Sequence, residues 1–128
     1  MNESDFKFLG YRISKIDCMI QDGFGKEPEK ISQTIDIENN FSTENHRLVE
    51  VVLNINVKSE SGNLTFFLII KGGFQASNEM TDDLFKILSK QNAPAILFPF
   101  ARSIITSYTA QANIPPVILP TVNFAIKG

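Results

Sequence analysis

The chain has few of the residue types on which most enzymes and metalloproteins depend. Its 128 residues include one cysteine, one histidine and no tryptophan. A single cysteine excludes a disulfide within the chain and fits a reducing compartment. One cysteine and one histidine also fall short of the ligands that a Cys/His zinc cage needs. Since no set of acid, base and nucleophile stands out either, we expect no catalytic residue, no metal site, no cofactor and no enzymatic activity.

Concentrated charge and long apolar runs are missing as well. The net charge is −2, from 12 Lys+Arg and 14 Asp+Glu, and the basic residues do not cluster. Nucleic acid is therefore not an expected partner, because phosphate neutralisation needs a concentrated basic face. The apolar run Leu64 to Ile70 is far below the ~20 residues of a membrane span. The N-terminus shows no signal-peptide pattern, so we expect a cytoplasmic protein without membrane insertion.

What the chain does have is apolar material for one domain. Its length predicts a single domain over residues 1–128. Hydrophobic residues make up 43% of the sequence and include eleven phenylalanines. Phenylalanine supplies apolar area without a polar group, which suits a packed core or a surface that binds apolar partners.

Alternation of apolar and polar residues predicts four strands before Gly73. In the first, the alternation slips phase between three short groups, which indicates one or two bulges. A Gly/Pro loop, a second strand that gives way to a polar segment at Asn39, and a third strand follow. Ser59 to Asn63 reads as a hairpin turn, and Lys71-Gly72-Gly73 as the end of the fourth strand.

The fourth strand is apolar on both faces. Leu64, Phe66 and its alternate neighbours lie on one face, whereas Phe67 and Ile69 lie on the other. A strand of this kind is usually covered on both sides. One small sheet with few helices cannot provide both covers, so we expect Phe67 and Ile69 to lie at an interface between subunits.

Helices are predicted for the remainder of the chain. Thr81 is a suitable N-cap for a helix that ends near Asn92, and Pro94 suits the first position of a second helix. Pro99 falls inside that second pattern, at a typical cost of about 3 kcal/mol, which indicates a required bend or a compensating packing partner. The expected fold class is α+β, a four-stranded antiparallel sheet followed by helices packed on it.

Two motifs near the C-terminus resemble those of the SecB family of protein-export chaperones. They are Ile96-Leu97-Phe98-Pro99-Phe100-Ala101-Arg102 and Pro120-Thr121-Val122-Asn123-Phe124. The resemblance implies an ATP-independent chaperone that holds unfolded polypeptides, such as preproteins, in apolar surface grooves and assembles as a homotetramer, a dimer of dimers. It also implies that Ile35, Ile37 and Phe124 line the client groove. Arg102 is expected to make a contact at a subunit interface or a capping contact.

The sequence also departs from the family pattern. The family continues beyond the Asn-Phe pair into a further helix and a zinc-binding tail, whereas this sequence ends at Gly128. Of the acidic residues that contact the export motor SecA in the family, Asp17 matches, but Gln21 and Leu68 occupy two of the other places. SecA is therefore a disfavoured partner.

Three alternatives to the export chaperone stay open. The chain could be a SecB-like chaperone of a toxin–antitoxin system, or a module dedicated to one partner. It could also be a small α+β domain that binds a ligand or catalyses a reaction, although nothing supplies the acid, base or nucleophile.

Overall fold

A computed structural model describes residues 5–124. These residues form four strands and one helix: β1 (Phe6–Ile20), β2 (Ile31–Phe41), β3 (Leu48–Ser59), β4 (Leu64–Ala76) and α1 (Asp82–Gln111). The strands make one antiparallel sheet in the order β1-β4-β3-β2, and α1 packs on one face of it. The predicted α+β class, with four antiparallel strands followed by a helical layer, is confirmed.

Strand β1 contains the predicted bulges. Its register against β4 shifts between Phe8 and Gly10 and again between Ile13 and Lys15. An extra residue at each shift restores the phase, so that apolar residues on both sides of it point to the helix. Phe8, Ile13 and Ile16 accordingly pair with β4 residues that are fully buried.

Two strands run further than the sequence predicts. Strand β2 continues through the polar segment to Phe41, because β3 is long enough to pair with it up to Val49. Strand β4 passes through Gly72 and Gly73 to Ala76, so the expectation that these glycines end the strand is wrong. Gly72 has a different role: a Cβ at this position would collide with the side chain of Leu97. The glycine therefore lets α1 approach the sheet closely.

The helical layer is one helix rather than two. Helix α1 has 30 residues and continues through both Pro94 and Pro99, so the predicted break near Asn92 is wrong. Thr81 caps it as predicted, since its side chain accepts a hydrogen bond from the Leu84 N–H at 3.2 Å. Each internal proline removes one backbone donor, and burial of the surrounding side chains offsets this loss. The buried members of this part of the helix are Ala93, Pro94, Leu97, Phe98 and Ala101.

The core lies between α1 and the sheet face formed by alternate residues of each strand. Strands β3 and β4 are central and supply its fully buried centre. The edge strands β1 and β2 are less completely covered, and they bound the surfaces described below. The fully buried residues of the centre are Val51, Leu53, Ile55, Leu64, Leu68, Ile70 and Phe74, each with no exposed surface.

One buried arginine ties the sheet to the start of the helix. Arg47 donates to the carbonyl oxygens of Ser77 and Met80 at 2.9 and 2.7 Å, and to Asp82 Oδ1 at 3.0 Å. Its guanidinium carbon also lies 5.5 Å from the centre of the Phe85 ring. Arg47 thereby fixes the β4–α1 connection, a role that nothing in the sequence pattern indicated.

Candidate functional site

The segment after α1, residues 113–124 (the tail), runs back along the helix without forming a strand. The reversal occurs at Asn113, whose φ of 62° is in the left-handed region. Thr109 Oγ1 accepts a hydrogen bond from the Val117 N–H at 2.9 Å, and Thr106 Oγ1 donates to the Val117 carbonyl at 2.7 Å. One turn earlier on the helix, Arg102 Nε donates to the Leu119 carbonyl at 3.0 Å. The tail is therefore held along its main chain by helix side chains.

Strand β2 contacts the tail from the other side. Gln33 Nε2 donates to the Pro120 carbonyl at 3.4 Å. Val117 and Leu119 are 5% and 2% exposed and belong to the core, whereas Ile118 between them is 74% exposed. The tail thus occupies the layer between α1 and the helix-facing side of β2, which we call the β2 groove.

The three predicted client-binding residues all lie on the helix side of the sheet. Ile35 is half-buried against the core, and Ile37, two residues further along β2, is 40% exposed. Phe124 is half-buried, and its ring packs edge-to-face on Phe98 with 5.6 Å between centroids. The structure places Ile35 and Ile37 on the β2 wall of the groove and Phe124 at the end of the tail that occupies it, whereas their contact with a client stays a prediction.

A cavity of 520 Å³ opens at one end of the β2 groove. Its walls are the β1–β2 loop around Phe24, the start of β2 at Ile31, and the tail from Pro115 to Ile118. The loop approaches the tail closely, because a Cβ on Gly25 would lie 2.9 Å from Pro115 Cδ. Gly25 also has a φ of +89°, which favours glycine.

A second apolar surface lies between α1 and β1, and the sequence analysis did not assign it a role. It encloses a cavity of 640 Å³ whose apolar walls include Tyr11, Ile13, Phe100 and Tyr108. All four are more than one third exposed, with Ile13 at 45%. In the sequence, the apolar residues between Ile96 and Tyr108 are spread around most of the circumference at the start of the predicted second helix. Packing on one sheet leaves part of that circumference uncovered.

The sheet face opposite α1 carries the predicted interface residues Phe67 and Ile69, both half-buried within the single chain. The Lys15 ammonium lies 5.7 Å from the centre of the Phe67 ring. Leu68, which the resemblance aligned with a SecA contact, is fully buried on the helix side and cannot belong to this surface. Asp17 is exposed here, as that alignment requires.

The acidic, histidine and cysteine side chains of residues 5–124 are scattered rather than clustered. No group of three or more His, Cys, Asp or Glu side chains is placed to hold a metal ion in this range. His46 is exposed, and burial together with the nearby Asp17 charge raises the pKa of the Cys18 thiol. Hydrogen bonds from the Ser61 N–H and hydroxyl, together with a weaker one from Ser59, lower the pKa of the Glu29 carboxyl. Helix α1 has 30 residues but lacks the sustained apolar stretch of a membrane span, and no other helix is found among the described residues.

These features define an α+β subunit of one sheet and one helix, with uncovered apolar surface along both edges of the helical layer. The model of the family described as preprotein translocase subunit SecB matches residues 18–126. The chain therefore belongs to the SecB family, and the resemblance seen in its motifs is confirmed.

Individual relatives agree with this assignment. The uncharacterized protein MJ0357 of Methanocaldococcus jannaschii is 30% identical over 93% of this chain and 79% of its own length. The protein-export protein SecB of Rhodopseudomonas palustris is 33% identical over 76% of this chain and 64% of its own length. The match thus spans slightly less than two thirds of that curated SecB. The sequence differs from longer family members in ending at Gly128. That residue lies outside the described residues.

A solved structure shares the fold. The SecB-like chaperone Rv1957 of Mycobacterium tuberculosis, in complex with a ChAD peptide from the HigA1 antitoxin Rv1956, superposes with a TM-score of 0.79. The match covers 94% of this chain and 91% of that chain at 10% identity, which shows a common fold. Family membership and this fold support a chaperone or protein-export role for the chain.

Proposed function

We propose that the protein is an ATP-independent chaperone that holds unfolded polypeptides in the β2 groove. The observation that carries the proposal is that this layer already accommodates an extended, largely apolar segment, the tail, while Ile37 beside it stays 40% exposed. A groove that fits one extended chain through main-chain contacts and apolar burial can fit others, because the hydrophobic effect is non-directional.

The energetics suit reversible holding. An extended client that loses about 1,000 Å² of apolar surface gains on the order of 25 kcal/mol before other terms are counted. The loss of translational freedom and the ordering of the client cancel much of this gain. Binding at one subunit would be moderate, and several grooves on one assembly would strengthen it.

The proposed assembly is a homotetramer, a dimer of dimers in the cytoplasm. Such an assembly needs two different contact surfaces, and the chain presents two: the cavity between α1 and β1, and the opposite sheet face around Phe67 and Ile69. Arg102 already binds the tail through Nε, so an interface role would use its terminal nitrogens. Light scattering tests the assembly. We expect more than two subunits for the wild type and smaller species for Phe100→Asp or Phe67→Asp. A stable wild-type monomer would contradict this part of the proposal.

The holding role is tested by suppression of aggregation. An unfolded client is diluted with a near-stoichiometric amount of the protein, and the light scattering is followed. Ile37→Asp should weaken holding, since about two fifths of the roughly 2–3 kcal/mol of an isoleucine stays available to a client, or about fivefold in affinity. Thr43→Asp is the matched control, because it adds the same charge at an exposed position in the connection between β2 and β3, away from the groove and from both proposed contact surfaces.

The outcomes of this experiment separate two failures. If the wild type suppresses the aggregation of no client, the holding role is wrong. If Ile37→Asp and Thr43→Asp weaken holding equally, the role survives but the β2 groove is not the binding site.

A second candidate is a chaperone dedicated to one antitoxin. It is favoured by the fold shared with Rv1957, whose structure contains a peptide from an antitoxin. A pull-down from the native cell distinguishes the two candidates. One dominant partner favours the dedicated chaperone, and a broad set of preproteins favours export. SecA among the bound proteins would show that the export motor is a partner of this chain.

A further inference from the structure

The tail contacts its surroundings in the way an extended guest would. Four hydrogen bonds join side chains of α1 and β2 to its main chain, namely to Val117, Leu119 and Pro120. Bonds of this kind suit almost any sequence, because each residue offers a carbonyl and each residue except proline an N–H. The side chains add an alternation, since Val117 and Leu119 are buried while Ile118 points outward.

The tail nevertheless leaves one hydrogen-bonding group of Gln33 without a partner among the described residues. A carbonyl oxygen only accepts hydrogen bonds, so Gln33 must turn its Nε2 toward Pro120 and its Oε1 away. Among residues 5–124, that Oε1 is buried and accepts no hydrogen bond. Pro120 cannot donate to it, because proline has no N–H. The bond that Gln33 does make, at 3.4 Å, is longer than the usual range.

Proline is also frequent along the rest of this stretch. Pro115, Pro116 and Pro120 account for half of the six residues from 115 to 120. A proline-rich segment keeps an extended shape at low entropic cost but offers few donors to the groove wall. It can fill the groove and still leave the acceptor Gln33 Oε1 without a donor from the described chain.

We infer that the tail is a built-in competitor for the β2 groove, which an extended guest displaces, and that Gln33 favours a guest with a backbone N–H where the tail has Pro120. This inference rests on the proposed function, because it concerns the occupancy of the same groove. The preferred guest is an extended polypeptide with apolar residues at alternate positions and no proline opposite Gln33. Because the tail occupies the groove, the apparent affinity for a guest is the intrinsic affinity multiplied by the fraction of molecules whose groove is open.

The test loosens the tail without touching the guest-facing strand. Thr106→Val removes the donor to the Val117 carbonyl at nearly constant size. The probe is a short fluorescent peptide in which leucine alternates with serine, and its binding to the full chain is measured by anisotropy. Loss of one hydrogen bond to the tail should tighten the apparent Kd about fivefold. Thr43→Val, the same substitution at an exposed position in the connection between β2 and β3, should leave the Kd unchanged.

Hydrogen exchange supplies a readout that needs no variant. The Val117 N–H is bound to Thr109 in the free protein, so saturating peptide should accelerate its exchange if the tail is displaced. The preference at Gln33 is tested with two modified versions of the same peptide. One is N-methylated on its serine amides and the other on its leucine amides. One of these should bind wild type about fivefold more weakly, and Gln33→Leu should abolish the difference.

The results separate the two proposals. If the peptide binds and Val117 stays protected, or if Thr106→Val leaves the Kd unchanged, the competitor role of the tail is wrong while the holding role stands. If neither N-methylated peptide binds more weakly, the assignment to Gln33 is wrong. If no peptide binds the wild type or Thr106→Val, the proposed function fails and this inference fails with it.

Discussion

Gly72 and Gly73 are neighbours on β4 whose substitution by alanine should affect stability differently. A Cβ on Gly72 would point toward α1 and collide with Leu97, which is fully buried and has no free space to move into. A Cβ on Gly73 would point to the other face, where it would lie 3.6 Å from Leu9 Cβ in ordinary contact. The pair therefore tests whether the spacing between helix and sheet is set by the missing side chain of Gly72.

The magnitudes follow from two competing terms. Overpacking a well-packed core costs about 1–3 kcal/mol. Replacing a glycine by alanine at an unstrained position gains about 0.4–1 kcal/mol, because the unfolded chain becomes less flexible. Gly72→Ala should therefore lower the free energy of unfolding by about 1–2 kcal/mol, while Gly73→Ala should leave it unchanged or raise it by roughly 0.5 kcal/mol.

Urea unfolding followed by circular dichroism, at one protein concentration, measures both values. Adding Leu97→Val to Gly72→Ala should recover stability, with a coupling of about 1 kcal/mol or more, because the shorter side chain makes room for the new methyl group. Equal effects of the two alanines, or strict additivity of Gly72→Ala with Leu97→Val, would refute the argument.

Three further predictions concern stability. Arg47→Ala should lower the free energy of unfolding in urea by about 3 kcal/mol, because two carbonyls lose their donor. Asp82→Asn should lower it by less than about 1 kcal/mol, because Asp82 is 76% exposed. Equal losses would contradict this account. Hydrogen bonds from Ser61 lower the pKa of Glu29 in the folded state, so its contribution to stability is present above the pKa of an unfolded glutamate and is lost as pH falls through the folded pKa. Glu29→Gln should flatten the acid side of a stability–pH profile, and an unchanged profile would refute the link. Thr81→Ala should cost about 1 kcal/mol and lower the thermal midpoint, and no change would argue against the cap.

The parts of the fold that the sequence predicted are those set by local pattern. The four strands follow from alternation, and even the bulges of β1 were visible, because an extra residue shifts the phase of every apolar residue after it. The N-cap at Thr81 was equally readable. The positions of Ile35 and Ile37 on the helix side of β2 follow from the same period of two.

The parts that it missed depend on tertiary contacts. Pro94 and Pro99 suggested two helices, but burial against the sheet sustains one. Gly72 looked like the end of a strand because its partner, Leu97, is distant in sequence. Arg47 stood in a polar stretch, and only the folded chain brings the carbonyls of Ser77 and Met80 to it. The role of the tail as an occupant of the β2 groove was likewise invisible, because it needs side chains from two other elements.

The two irregularities of β1 also bear on solubility. This strand lies at the margin of the sheet, and along one side its amides meet no other strand of the described chain. A straight, regular edge strand of that length would pair readily with strands of other molecules and start a fibril. By interrupting the even spacing of donors and acceptors after Phe8 and after Ile13, the extra residues leave only short matching stretches. The bulges thereby disfavour the addition of foreign strands along the β1 edge of the sheet.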